Sequence, residues 1–244
     1  MEPPEFVKVV VKAYRSGRGV FANKVNAEDL VPPQATDLQK ALFLFYVIQL
    51  DYATKSQRLY EGARELFAAN PGFFDPVYVV NLPDDELRGS LGNYLKPRYI
   101  NEAVRRYKAN SRGLLANFGG DPRRIFEGVG GAKEALQSVQ TFRGFGPKIG
   151  NFFVRTMVNT FDYRYSDVED LLPPVDVHDV RIAHLLGFND SDEVSGRNIA
   201  EVKDLWSTAC REAGVSWLVF DKALWLLGSE GRPKTREDVI NLLS

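Results

Sequence analysis

From Leu38 to Phe67 apolar residues recur at three- and four-residue steps: Leu38, Leu42 and Phe45 first, then Leu59, Ala63 and Leu66. That spacing lines one face of a helix. Asp37 stands just before the pattern and predicts an N-cap, because its carboxylate can accept a first-turn amide that has no partner within the helix. Ile149, Phe152, Phe153 and Met157 form a second stripe, and Ile199, Val202, Leu205, Trp206 and Ala209 a third. Residues 218–227 form a dense fourth, and Thr235 and Asp238 have capping-box spacing before residues 239–243. Strand-like alternation is scarce. Residues 77–80 and 6–11 are the candidates, and the second reads equally well as a helix. The pattern predicts an all-α fold. Turns at Pro32–Pro33, Asn70–Pro71–Gly72, Gly119–Gly120–Asp121–Pro122, Gly130–Gly131 and Pro173–Pro174 divide the chain. The resulting segments predict a bundle that takes its ligand between helical lobes.

With 244 residues, 44% of them hydrophobic and 26% charged, the chain can form one large domain or two small lobes, and a disordered chain is excluded. Lys and Arg number 31 against 32 Asp and Glu, a formal charge of −1. Bulk charge therefore cannot hold a nucleic acid, and any such partner must meet a local basic patch. The single cysteine, Cys210, excludes an intramolecular disulfide, a Cys-ligated zinc finger and a four-Cys iron–sulfur cluster. The longest apolar run, residues 41–48, is far short of the roughly 20 residues of a membrane span. Glu2, Pro3, Pro4 and Glu5 do not make the basic-then-apolar start of a secretory leader, so the expectation is an intracellular protein.

The most informative segment is Phe142-Arg143-Gly144-Phe145-Gly146-Pro147-Lys148-Ile149-Gly150. Two glycines around one apolar residue permit a tight turn in which backbone can approach another molecule. Pro147 suits the first turn of the helix that follows, since its missing amide would have no partner there. The remaining amides then point outward at a helix N-terminus, which favours an anion such as a phosphate. A plain connection between two helices fits the same residues. Pro174-Val175-Asp176-Val177-His178 follows, with Asp176 lying 28 positions beyond Lys148. Asp176 can serve chemistry, or only cap the helical run 180–186.

Together, Gly144-Phe-Gly146-Pro-Lys148 and Pro174-Val-Asp176-Val-His178 resemble the helix-hairpin-helix, Gly/Pro–Asp superfamily of DNA base-excision glycosylases. The second string is most similar to the 8-oxoguanine glycosylases. Leu91-Gly92 followed by Arg98-Tyr99-Ile100-Asn101-Glu102-Ala103 resembles the segment upstream of the hairpin in those enzymes. The resemblance runs in order over residues 46–186. The chain departs from the pattern in a longer Lys-to-Asp connection whose extra residues, 163–172, include Asp167, Glu169 and Asp170. It also lacks the iron–sulfur cysteines of the endonuclease III branch. A second glycine turn, Gly128-Val-Gly130-Gly131-Ala-Lys133, has no downstream Asp motif and ranks behind the first.

The resemblance implies two helical lobes with a cleft between them: residues 35–175 as a barrel bearing the hairpin, and residues 1–34 with 176–244 as the second lobe. It implies removal of 8-oxoguanine from double-stranded DNA, followed by β-elimination through a lysine Schiff base. Lys148 would be the nucleophile and Asp176 the carboxylate that stabilises the cationic sugar. Burial among aromatic residues would bring the amine down from its usual pKa of roughly 10.4. Were Lys148 solvated instead, Asp176 would activate water and no lyase step would follow. Arg143, Gly144, Phe145, Gly146 and His178 are the implied DNA contacts. Tyr52 is a candidate to fill the gap left by the extruded base, although core packing fits it as well. Gln49 and Asp51 could read the base edge, and Trp217, Phe220 and Asp221 are candidates for the base pocket, with a core role as the simpler reading. Lys96, Arg98, Arg105, Arg106, Arg123 and Arg124 could extend a basic patch. No metal, cofactor or membrane is implied; the expectation is a monomer working in the nucleoid or nucleus. The competing readings are the same fold acting on alkylated purines or on mismatched uracil or thymine, a non-catalytic hairpin protein that only binds DNA, and a glycosidase of free nucleosides.

Overall fold

The computed structural model describes every residue except 23, 24, 53 and 244; Ala53 of the Asp51–Thr54 string thus lies outside the described residues. In chain order the α-helices are α1 (Pro3–Ser16), α2 (Asp37–Ile48), α3 (Ser56–Ala69), α4 (Pro76–Asn81), α5 (Asp84–Ser90), α6 (Ile100–Phe118), α7 (Ala132–Val139), α8 (Pro147–Phe161), α9 (Val177–Leu185), α10 (Gly196–Ala213), α11 (Trp217–Ser229) and α12 (Arg236–Leu243). Among the described residues there is no strand, so the all-α expectation holds. Both strand candidates are helical. Residues 6–11 belong to α1, and residues 77–80 form α4, where Pro76 occupies the first turn and the Asp75 carboxylate accepts the amides of Val77 and Tyr78. A strong cap and a proline at the start override the local β-preference of Val-Tyr-Val-Val.

The chain divides into two compact units, residues 27–168 and residues 1–26 with 169–244. In the unit of residues 27–168, α2 is apolar on every side, and residues 41–48 are all buried. A helix of that kind has to be surrounded, and α2 packs against α3 and α8. Its N-cap is Thr36 rather than Asp37: the Thr36 hydroxyl accepts the Gln39 amide, and the Gln39 side chain accepts the Thr36 amide. Asp37 sits one residue inside and holds Lys40 at 3.0 Å. Around α2 the rings of Phe45, Phe142, Phe145 and Phe153 lie 5.1–6.4 Å apart, so the hairpin is built onto the core of this unit.

The unit of residues 1–26 and 169–244 packs α1 on α10 and α11, and α9 on α11. Phe6, Phe188, Trp206 and Phe220 form its aromatic centre, with ring centroids 5.2–6.5 Å apart. Before α12, the Asp238 carboxylate accepts the amides of Lys234 and Thr235 and the Thr235 hydroxyl accepts the Asp238 amide, the capping box expected from their spacing.

Candidate functional site

The candidate residues stand on both units, Lys148 with the hairpin on one and Asp176 with His178 on the other. In the hairpin, Gly144 has φ +87°, and a Cβ there would meet the Gln49 carbonyl oxygen and the Arg106 guanidinium, each at 3.0 Å. Only glycine fits without strain. Gly146 differs: its φ is −70°, and a Cβ would meet nothing within 4 Å. The packing of the chain therefore places no steric demand for glycine at that position. Pro147 opens α8, and no side chain caps the helix at Gly146. A helix N-terminus is the positive end of the helix dipole, which suits an anion.

The turn is held from behind. Asn110 of α6 accepts the Arg143 amide at 2.9 Å and donates from Nδ2 to the Arg143 carbonyl at 2.9 Å, gripping the hairpin backbone with both ends of its amide. The same Nδ2 lies 2.8 Å from Gln49 Oε1, and Arg106 donates to the Gln49 carbonyl at 3.0 Å. Gln49 and Asn110 are both buried. Gln49, expected to read a base, is thus spent on supporting the hairpin. Phe145 is corrected in the same way: at 1% exposure its ring belongs to the core, stacked on Phe45 at 5.3 Å, and only its backbone reaches the turn. Arg143 and Lys148 are exposed. The expected burial of Lys148 among aromatic rings is not met.

On the other unit, Asp176 is the N-cap of α9. Its Oδ1 accepts the His178 amide at 2.8 Å, and its own amide donates to Asp179 Oδ2 at 2.6 Å. The cap fixes the carboxylate at a helix N-terminus, where negative charge is favoured. His178, half-buried, receives Arg181 Nη2 at its Nδ1, 3.0 Å away. On α11, Phe220 is committed to the aromatic centre, which removes it from a base pocket. Trp217 and Asp221, one turn apart on α11, are buried too and offer no open surface.

Two solved structures are similar to the chain along nearly its whole length. One is a thermostable thymine-DNA glycosylase, with a TM-score of 0.61, 14% identity, and coverage of 96% of this chain and 90% of that one. The other is the 8-oxoguanine DNA glycosylase of Pyrobaculum aerophilum in complex with 8-oxoguanosine, with a TM-score of 0.62, 17% identity, and coverage of 98% and 96%. The chain shares their fold. No protein-family model matches it, and no curated protein is similar in sequence.

The turn after α2 carries Tyr52 at 59% exposure, which excludes core packing for it. Tyr52 lines a notch with Leu50, Arg98, Tyr99 and Arg106, and Tyr99 is itself 54% exposed beneath the Arg98 guanidinium. Asp51 turns inward instead: Oδ1 accepts from Ser56 at 2.8 Å and Oδ2 from the Tyr60 hydroxyl, so it anchors the turn to α3. Burial first, and then the Asp51 charge, hold the Tyr60 phenol well above its usual pKa, which keeps it a donor. Of the basic patch, Arg106 is held by Glu102 at 3.2 Å and Arg123 by Asp121 at 2.7 Å. Arg105 stands 4.0 Å from Glu102.

The second glycine turn is already filled. Asp167 accepts the amides of Ala132 at 2.7 Å and Lys133 at 3.0 Å, and a Cβ on Gly131 would strike its carboxylate at 2.6 Å. Desolvation opposes ionisation of Asp167, but the Lys133 and Ala132 amides outweigh it and hold the carboxyl below the usual range. One residue of the unusual acidic connection thus supplies the anion to this turn. Sequence reasoning missed Asn110 and Arg181, and placed Arg106 only in a basic patch rather than as the donor to the Gln49 carbonyl. Among the described residues no cluster of His, Cys, Asp or Glu could hold a metal, and no helix is long and apolar enough to cross a membrane.

Proposed function

We propose that the protein is a base-excision DNA glycosylase. The observation that carries this reading is the uncapped N-terminus of α8, bare at Gly146 and braced by Asn110, on a chain that folds like two DNA glycosylases. DNA phosphate docks on the α8 amides beside Arg143, and Tyr52 enters the stack where the damaged nucleotide leaves it. The Asp176 carboxylate stabilises the positive charge that develops on the sugar as the N-glycosidic bond breaks.

The substrate proposed is 8-oxoguanine in duplex DNA, on the strength of Pro174-Val-Asp176-Val-His178 and of a lysine at position 148. Lys148 Nζ, once deprotonated, bonds to C1′ as the bond to the base breaks, and the departing base takes up a proton. Transfer of one of the amine's two protons to the ring oxygen, as the bond from C1′ to that oxygen opens, leaves a protonated imine. Removal of a C2′ proton then expels the 3′ phosphate by β-elimination. The exposure of Lys148 favours a second reading, in which Asp176 activates water and the strand is left uncut. The likeness in fold to a thymine-DNA glycosylase makes mismatched thymine or uracil the alternative lesion.

One experiment separates these readings. Duplexes carrying 8-oxoguanine, a thymine or uracil opposite guanine, or an alkylated purine are incubated with the protein, with and without borohydride. The proposal expects base release from 8-oxoguanine and a covalent complex that Lys148→Gln abolishes. Release without trapping assigns the chemistry to water, and release only from a mismatch moves the substrate. No release from any duplex refutes the enzyme.

A further inference from the structure

We propose that Arg181 is a positioning residue that fixes the His178 ring as its neutral Nε2–H tautomer. This ring then meets a DNA phosphate as an uncharged hydrogen-bond donor. The phosphate half of the inference rests on the function proposed above; the tautomer half does not.

Donors and acceptors decide the tautomer. A guanidinium has hydrogens and no acceptor. Arg181 Nη2 stands 3.0 Å from His178 Nδ1 and 3.0 Å from the Gly228 carbonyl oxygen, so each of its two hydrogens has a partner. His178 Nδ1 must therefore present its lone pair, and the ring hydrogen sits on Nε2. Protonating Nδ1 would set N–H against N–H and cation against cation. Asp176 and Asp179 in the first turn of α9 favour a charged ring, but the added proton would have to enter at the nitrogen that faces the guanidinium.

The packing of α11 on α9 holds this arrangement. A Cβ at Gly228 would lie 2.6 Å from His178 Cβ and 3.3 Å from Ile182 Cδ1, so glycine is what lets the α11 carbonyl come close enough to grip Arg181. Arg181 Nε is buried and has no hydrogen-bond partner among the described residues, so the bonds that hold the guanidinium to His178 and Gly228 run through Nη2. The chain's other histidine provides the opposite case. His184 Nδ1 lies 3.0 Å from the Asn189 carbonyl, which can only accept, so there the hydrogen is on Nδ1.

Two histidines of opposite tautomer make the test direct. Long-range proton–nitrogen correlation spectra of the protein labelled with nitrogen-15 histidine, assigned with His184→Gln, are recorded at mildly alkaline pH. The expected spectrum has His178 with Nδ1 bare and Nε2 carrying hydrogen, and His184 reversed. Arg181→Met should let the His178 tautomers mix, while Arg181→Lys, which keeps a donor, should retain the single form. A hydrogen on His178 Nδ1 in the unmodified protein, or an Arg181→Met spectrum with the tautomer unchanged, overturns the assignment. The wild-type spectrum decides even if the variants do not fold.

The second arm measures binding to duplex DNA across a salt series. His178→Ala should weaken binding about tenfold, the worth of one such hydrogen bond, with the slope of log K against log salt unchanged, because a neutral donor displaces no counterion. Arg143→Ala should reduce that slope by about 0.9. A comparable drop for His178→Ala means a charged ring and refutes the proposal. Unchanged affinity beside the expected spectrum refutes the phosphate contact alone.

Discussion

Removing the Asn110 side chain tests whether the hairpin is held from behind. Asn110→Ala deletes three hydrogen bonds of 2.8–2.9 Å, two to the Arg143 backbone and one to Gln49 Oε1. At about 1 kcal/mol net for each, the loss is about 3 kcal/mol, and stranding the buried Gln49 oxygen adds about 1 kcal/mol more. For a chain of this size that lowers the melting temperature by on the order of 10 °C. Thermal unfolding followed by far-ultraviolet circular dichroism, with urea unfolding beside it, measures the change. The Arg143 amide and carbonyl would then face the space left by Asn110, so the turn loosens and duplex affinity falls at temperatures where the variant remains folded. Asn110→Asp separates the contributions: it still accepts the Arg143 amide but opposes lone pairs to the Arg143 carbonyl and to Gln49 Oε1. It should be no more stable than the alanine variant at neutral pH. A loss below about 1 kcal/mol with unaltered DNA affinity would refute the brace.

Asp176→Asn should leave stability within about 1 kcal/mol, because asparagine caps as well as aspartate, while base release is abolished; a parallel loss of both would reduce Asp176 to a cap. Gly146→Ala should fold normally, since its Cβ enters open space, yet weaken duplex binding; an unaffected dissociation constant would remove the close phosphate approach. Cys210 is buried, and its thiol is pushed up to about 12, first by burial and then by the Glu169 and Asp221 charges. At pH 8 it stays a neutral thiol, so a thiol reagent should find no reactive group in the native protein and one after unfolding.

What could be read from sequence was what depends on neighbours along the chain. The helical spacing from Leu38 announced α2, though as a helix with one apolar face rather than one buried all round, and Thr235 with Asp238 announced a cap. Thr36 and Gln39 were a legible capping box as well, but the adjacent carboxylate of Asp37 satisfied the same rule by composition and drew the assignment one residue too far. The hairpin and Asp176 were visible because their spacing is local. Asn110 was not: a lone asparagine in an amphipathic helix looks like a solvated position until folding brings a backbone 33 residues away against it. Phe145 misled for the converse reason, since a ring between two glycines looks exposed, whereas the turn drives it into the stack on Phe45.

The carboxylate seated on the second glycine turn has a consequence for ionic strength. A counterion carried on the polypeptide cannot be diluted away or exchanged for chloride, so at Ala132 and Lys133 the loop is occupied before any solution anion arrives. Of two loops that look alike in sequence, one is self-neutralised.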